Sequence, residues 1–111
     1  MTRSNIHITL SNGRKIKCVA DSSSAPEQGY IVEDLILPLL ALDDGTAELK
    51  LLTEHCTMDE QRVNATYRYE INLLKKRVSF YEEKYDFGKD KFERGEDITQ
   101  RYNDYLYLIK P

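Results

Sequence analysis

The chain contains no tryptophan, only two cysteines, three prolines and five glycines, and it has no apolar run long enough to cross a bilayer. Its longest apolar stretch, LILPLLAL at 35–42, falls far short of the about 20 residues that a membrane helix needs. No secretory signal pattern opens the chain, and two cysteines are too few for a disulfide framework. We therefore predict a cytoplasmic protein with no membrane segment, in which Cys18 and Cys56 are reduced thiols.

The composition bounds the size and the charge of the fold. With 111 residues, 41% of them hydrophobic and 32% charged, the chain is long enough to bury a core and is predicted to be a single domain over 1–111. A formal net charge of −3 argues against a dedicated nucleic-acid-binding protein, because neutralising phosphates needs a concentrated basic surface. Basic residues do cluster at Arg68, Lys75, Lys76 and Arg77, and beside exposed tyrosines they would suit single-stranded nucleic acid as an alternative partner.

Residues able to carry catalysis or to bind a metal are scarce. The soft metal ligands are His7, His55, Cys18 and Cys56, and their spacing matches no familiar zinc pattern. His55 and Cys56 are neighbours in sequence, which does not bring a base and a nucleophile together in space. No glycine-rich phosphate loop is present. We therefore expect no metal, no cofactor and no enzymatic activity.

The first 20 residues predict a β-hairpin, because the turn signal NG lies between two alternating apolar rows. A two-residue loop would put these rows on opposite faces of the hairpin. A three-residue loop over SNG, with Gly13 in the left-handed region, instead pairs Ile8 with Ile16 and Ile6 with Cys18. Both rows then face one core, so we predict the three-residue loop.

Residues 30–51 are compatible with two structures. A loop at DDG would pair Leu39 with Leu49 in a second hairpin, again placing apolar residues opposite each other. A helix over 30–42 is the alternative, but it would carry Pro38 in its interior at a cost of about 3 kcal/mol. We predict the hairpin and retain the helix as the alternative.

A second ambiguity covers 57–85. Apolar residues spaced by three and four would make one long helix, which would suit a coiled-coil dimerisation protein. Alternation in ATYRYEINL, together with its β-branched and aromatic content, instead favours a half-buried strand. We predict a hairpin of strands 65–73 and 77–83, preceded by a short helix over 58–63, and retain the long helix as the alternative.

The C-terminal segment predicts a helix that begins after Asp97 and docks one face on the sheet. Its apolar stripe consists of Ile98, Tyr102, Tyr105 and Ile109. A capping-box pattern at Ser24 to Glu27 also predicts a single helical turn there.

Tyrosine is the most suggestive feature for function. The chain has eight tyrosines, of which seven follow residue 66, and tyrosine suits both a core and a partner interface. The candidate interface residues are Tyr81, Tyr85, Tyr102, Tyr105 and Tyr107. A purely structural role in the contact between sheet and helix is the competing interpretation.

Together these patterns predict an α+β fold, with an antiparallel β-meander or partial barrel of about six strands and a C-terminal helix. The predicted function is that of a small non-enzymatic binding or assembly module that acts through protein–protein contacts, either with a partner or with a second copy of the chain. Open sheet edges would supply the binding surface.

Overall fold

The computed structural model describes residues 3–21, 25–26 and 29–109, which form a six-stranded sheet and three helices. The strands are β1 Ser4–Thr9, β2 Lys15–Ala20, β3 Thr57–Met58, β4 Tyr67–Asn72, β5 Arg77–Asp86 and β6 Lys91–Asp97. The helices are α1 over 29–42, α2 Gly45–His55 and α3 Thr99–Ile109. The α+β class and the C-terminal helix are confirmed.

The sheet is mixed and open, so the prediction of an antiparallel meander or partial barrel is wrong. Its strand order is β3-β2-β1-β4-β5-β6, and β1 pairs with β4 in parallel. Parallel pairing needs a long crossover connection, and the chain supplies one through α1 and α2 between β2 and β3. The two edge strands, β3 and β6, lie at opposite ends of the sheet.

The β1–β2 hairpin has the predicted three-residue loop and register. Ile6 pairs with Cys18 and Ile8 with Ile16. Gly13 has a φ of 88°, in the left-handed region that glycine adopts without steric cost. Both apolar rows therefore face the core.

The predicted hairpin over 37–51 is wrong, because both of its strands are helical. Helix α1 contains a wide π-helical turn, Val32–Ile36, in which the N–H of Leu37 donates to the carbonyl of Val32. This turn lies directly before Pro38, so the proline stands in the first turn of the following segment, where its missing N–H is tolerated. The helix alternative was the correct one.

The DDG turn forms, but it joins two helices. Asp43 ends α1 in the left-handed conformation, with a φ of 53°. The Asp44 carboxylate then caps α2 by accepting from the Thr46 N–H at 2.9 Å. Gly45 begins the helix where a Cβ would collide with the side chain of Asn12 in the β1–β2 loop. The turn residues thus suit a helix junction as well as they suit a hairpin.

The strand interpretation of 57–85 is confirmed, and the long helix does not form. Strands β4 and β5 pair with Tyr69 opposite Phe80 and Ile71 opposite Val78. The bend contains no glycine, and Lys76 takes its left-handed position with a φ of 54°.

The short helix predicted over 58–63 is also wrong. Thr57 and Met58 form β3, which pairs with β2, and the Asp59 N–H donates to the Lys17 carbonyl at 2.8 Å. The open edge of β2 therefore outcompetes the local helix signal. Ser24 and Glu27, which define the predicted turn near the start of α1, lie outside the described residues.

Helix α3 begins as predicted and docks through the buried Tyr102, with Ile98, Tyr105 and Leu106 also packed against the core. The Asp97 carboxylate accepts from the Thr99 N–H at 2.9 Å, and the hydrogen bonds from Thr99 lower the pKa of Asp97. Tyr102 packs edge-on against Phe80 with ring centroids 4.6 Å apart, and Phe80 in turn stacks on Tyr69 at 4.5 Å. These three rings tie the helix to the inner face of the sheet.

The helices cover one face of the sheet and leave the opposite face uncovered. Among the described residues, no helix combines the length and the apolar character needed to span a membrane. The buried core lies between the helices and the inner sheet face. We call the uncovered side the outer face.

Candidate functional site

The outer face carries polar side chains in rows, because residues opposite each other on neighbouring strands share a face. One row across four strands consists of Lys15, Thr9, Asn72 and Arg77. The next consists of Lys17, His7, Glu70 and Ser79. A groove of about 800 Å³ runs over these rows, with the segment 59–61 as one wall.

The histidine in this groove is held in the neutral form. Its Nε2 lies 3.2 Å from the Gln61 amide nitrogen. Burial lowers the pKa of His7, and the nearby positive charges of Arg68 and Lys17 lower it further. The lining also includes the hydroxyls of Thr9 and Ser79 and the amine of Lys17, which is the strand partner of His7. The groove can therefore donate and accept hydrogen bonds.

A buried ionic network lies farther along the outer face. The Glu83 side chain is fully buried and accepts from the Asn5 amide at 2.8 Å and from Arg68 Nε at 3.1 Å. Burial raises the pKa of the Glu83 carboxyl, although the hydrogen bond from Asn5 and the Arg68 charge oppose the shift. Asn5 also accepts from the Arg62 N–H at 2.8 Å, which anchors the 59–66 segment to β1.

The second surface is formed by β5 and β6 where they extend beyond β4. On its β4 side, the last backbone hydrogen bond of β5 runs from the Glu83 N–H to the Thr66 carbonyl, just before β4 begins. From residue 84 onward, β5 pairs only with β6 among the described residues. We call this two-stranded extension, with its loop, the ribbon (84–93). Its loop is closed by the Asp86 carboxylate, which accepts from the Gly88 N–H at 2.9 Å.

The ribbon carries an aromatic cluster with one exposed member. The Tyr85 ring contacts Phe87 and Phe92 edge-on, each with ring centroids 4.8 Å apart. Phe87 is 78% exposed, whereas Tyr85 and Phe92 are half-buried. The cluster therefore presents one accessible aromatic ring beside the β6 edge.

The two edges of the sheet differ in how well they are protected. Strand β3 has only two residues, and such short edge strands resist pairing with another chain. Strand β6 has seven residues, and within the described part of the chain only β5 pairs with it. A bulge near Gly95 distorts one end of β6, where a Cβ would press on the Glu82 carbonyl. The other end, at 91–94, remains a regular open edge.

The predicted interface tyrosines are spread over three regions. Tyr81 lies on the outer face under the Arg94 guanidinium, 4.6 Å from the ring centre, and Tyr85 belongs to the ribbon. Tyr102 is buried in the core, where burial also raises its pKa. The Tyr105 hydroxyl donates to Glu33 on α1 at 3.2 Å, and Tyr107 is exposed near the end of α3. Tyr81 and Tyr85 thus lie on β5, whereas the other three lie on α3, and the structure does not assemble the five into one surface.

The predicted nucleic-acid residues do not form one patch. Arg68 is engaged with Glu83, as described above, and Lys76 forms an ion pair with Asp43 at 2.5 Å. Lys75 lies in the exposed β4–β5 bend, and Arg77 lies at the end of the first outer-face row. Of the four, only these last two form no ion pair within the described part of the chain.

The soft metal ligands are also dispersed. Among the described residues, no three His, Cys, Asp or Glu side chains are grouped in a way that could hold a metal ion. Both cysteines are free, and Cys18 is buried. A hydrogen bond with Cys56 and burial raise the pKa of Cys18, so its thiol stays protonated.

Four residues at these surfaces were missed by sequence reasoning: Asn5, Glu83, Phe87 and Phe92. The ribbon had a readable signal, since DFGKD offers turn residues between the alternating runs of β5 and β6. The pairing of Asn5 with Glu83 had none, because 78 residues separate them.

Comparison of the chain with protein-family models, with curated proteins and with solved structures found no match.

Proposed function

We propose that this protein is a non-enzymatic binding or assembly module, and that it binds other protein chains through the open edge of β6 and the adjoining ribbon. The supporting observation is the combination of an edge at 91–94 that only β5 pairs with, among the described residues, and the aromatic cluster of Tyr85, Phe92 and the exposed Phe87. The edge offers backbone hydrogen bonds, and the cluster offers apolar area beside them.

This combination fits binding by strand addition. An extended segment of a partner can pair with β6, and its side chains alternate between the two faces of the enlarged sheet. Those on the outer face would meet the aromatic cluster. Burying an exposed phenylalanine contributes about 1.5–3 kcal/mol, so Phe87 would be a main source of affinity.

The other surfaces support the proposal less well. The buried charges of the outer face are already paired with each other, and His7 in the groove lies 3.2 Å from the Gln61 amide. The exposed end of α3 offers Tyr107 and Leu108, but the backbone groups left free at the end of a helix are the carbonyls of its last turn, which do not form a strand edge. Of the four residues predicted to bind nucleic acid, Lys75 and Arg77 form no ion pair within the described part of the chain.

Site-specific photo-crosslinking tests this proposal. A photoreactive phenylalanine analogue would replace Phe87 at the ribbon, Tyr107 at the end of α3, or Thr53 on the exposed side of α2 as the control. After irradiation in the cells that produce the protein, we expect protease-sensitive crosslinked species from position 87 and none from position 53.

The outcomes separate the alternatives. Equal crosslinking at all three positions, or none at Phe87, would contradict the proposal. Crosslinks from Tyr107 alone would move the binding surface to α3. Crosslinked species that are removed by nuclease would support the nucleic-acid alternative instead.

A further inference from the structure

We infer that the partner of the β6 edge is a second copy of this chain, paired antiparallel about a two-fold axis that passes between the two Phe92 residues. This inference rests on the proposed function and deepens it by naming the occupant and the register. It follows from the symmetry of antiparallel strands and from the order of charges along β6.

Symmetry limits the registers that two identical strands can adopt. In an antiparallel pair, directly opposite residues point to the same face of the sheet. A two-fold axis perpendicular to the sheet keeps the outer faces of both copies on one side. Such an axis must pass between a residue and its own copy, so each register is identified by the residue at its centre.

Most of these registers place like charges opposite each other. Centring on Lys91, Glu93 or Arg94 puts two identical charges face to face at the axis. Centring on Gly95 pairs Arg94 with Glu96 of the second copy, but it places Glu93 opposite Asp97 and uses the bulged part of the strand. Like charges directly opposite each other destabilise a sheet, so these four registers are disfavoured.

The register centred on Phe92 is complementary at the neighbouring strand position. The two Phe92 rings face each other at the axis, and Lys91 lies opposite Glu93 of the second copy. The two-fold axis repeats this charge pair, so two ion pairs flank the aromatic centre. Asp90, the next residue toward the loop, has a φ of 50° and lies outside the strand, so the register assigns it no partner.

The same register joins the two aromatic clusters. Phe92 is the strand partner of Tyr85 and shares its face, and Phe87 packs on Tyr85. A perpendicular two-fold axis therefore brings three rings from each copy together on the outer side. The dimer would bury the most exposed phenylalanine and would convert two open edges into the centre of a continuous sheet.

Paired cysteines measure this register directly. Cys56 is half-buried and would first be replaced, as Cys56→Ser, while the buried Cys18 is kept. In that background Phe92→Cys places two thiols opposite each other across the axis, and mild oxidation should give a disulfide-linked dimer. Lys91→Cys or Glu93→Cys alone should give no disulfide-linked dimer, because each residue and its own copy are then offset by two positions along the strands, beyond disulfide reach.

Mixing the last two variants gives the sharpest result. Lys91→Cys with Glu93→Cys should form a mixed disulfide, since these positions are directly opposite in the inferred register. Efficient self-crosslinking of Glu93→Cys would overturn the register. Failure of both Phe92→Cys and the mixture to crosslink would overturn the dimer.

Charge reversal supplies an independent test without cysteines. Lys91→Glu creates two like-charge contacts per dimer and should weaken the dimer about tenfold or more in sedimentation equilibrium. The double variant Lys91→Glu with Glu93→Lys restores opposite charges and should return the dissociation constant to within about threefold of the original. Both residues lie at the surface edge, and unchanged circular dichroism would show that the fold is intact. A double variant no tighter than Lys91→Glu would count against the inference.

Failure of this inference is distinguishable from failure of the proposed function. A protein that stays monomeric at millimolar concentration overturns the inferred dimer. If Phe87 still crosslinks to other proteins in cells, the edge is a binding surface for a different chain. If neither occurs, both proposals are wrong.

Discussion

Replacing Glu83 with glutamine tests how the outer face tolerates a buried charge. The carboxylate is fully buried between the Asn5 amide, at 2.8 Å, and Arg68 Nε, at 3.1 Å. Desolvation nevertheless dominates, because the pKa of Glu83 lies above its usual range despite both favourable contacts. The folded protein therefore favours the neutral form of this side chain more than water does.

Two variants of Glu83 separate charge from hydrogen bonding. Glu83→Gln keeps the shape and an acceptor for Asn5, and we expect its free energy of unfolding at pH 7 to lie within about 1 kcal/mol of the original. Glu83→Ala removes the acceptor for Asn5 and leaves Arg68, only 13% exposed, with the more distant Glu70. It should cost about 3 kcal/mol, since each buried donor left without a partner costs about 1–3 kcal/mol.

The pH dependence has a definite sign. A carboxyl whose pKa is raised on folding binds more protons in the folded state, so its favourable contribution is complete below the unfolded pKa and is lost as the pH rises through the folded value. The difference in unfolding free energy between the original protein and Glu83→Gln should therefore favour the original most at low pH and shrink as the pH rises from about 4.5 toward neutrality.

Urea unfolding followed by far-ultraviolet circular dichroism measures these differences, since the chain has no tryptophan for fluorescence. Taking the difference between the two proteins cancels the titration of all other groups. Two results together would refute this reasoning. One is a loss of more than about 2 kcal/mol in the unfolding free energy of Glu83→Gln at pH 7, a value within the range of a hydrogen bond to a charged group. The other is a difference between the two proteins that grows as the pH rises.

Three further predictions concern the frame that positions these surfaces, each measured as a change in the free energy of unfolding. Phe80→Ala should cost about 4 kcal/mol, because the ring is buried between two tyrosines, and a loss under about 1.5 kcal/mol would contradict the described core. Gly45→Ala should cost about 1–2 kcal/mol through collision with Asn12, and adding Asn12→Ala should recover most of it; a loss that persists in the double variant would refute the collision. Lys76→Gly should stabilise by about 0.5–1 kcal/mol, because the relief at a left-handed position exceeds the loss of the exposed ion pair with Asp43, whereas Lys75→Gly, the control in the same bend, should not; equal effects would contradict the described turn.

Local sequence patterns correctly predicted the strands and helices whose turn and capping signals are not opposed by contacts with distant parts of the chain. In the first hairpin, the pairing of Ile8 with Ile16 follows from alternation and from one glycine in the loop, and nothing distant competes with it. Asp97 starts the C-terminal helix for an equally local reason, its hydrogen bond to the Thr99 N–H. The β4–β5 hairpin formed although its bend contains no glycine, because Lys76 tolerates the left-handed conformation there.

The wrong predictions have other causes, one of them local and the others set by long-range contacts. Pro38 argued against a helix, but the π-helical turn before it accommodates the proline. The helix signal at Thr57 lost to pairing with β2, and no local pattern could have shown that β1 pairs in parallel with β4. The total of about six strands agrees with the structure only because β3 and β6 replace the two predicted strands that are helical.

In the candidate site too, local patterns predicted the residue types, whereas long-range strand pairing decided where they lie. Two of the five predicted interface tyrosines, Tyr81 and Tyr85, lie beside the β6 edge, whereas Tyr102 is used by the core. Counting tyrosines indicated that surplus aromatic surface exists. Only the register of β5 and β6 shows where that surface lies and that Phe87 and Phe92 belong to it.

The central claim is that this protein binds another chain at the β6 edge. Amide hydrogen exchange at two protein concentrations tests it most directly. If a second copy adds to this edge, the amides of 91–94 that face away from β5 should exchange more slowly in concentrated than in dilute solution, while those of β3 and α3 stay unchanged. Concentration-dependent protection that appears on β3 or α3 and leaves 91–94 unaltered would contradict the account.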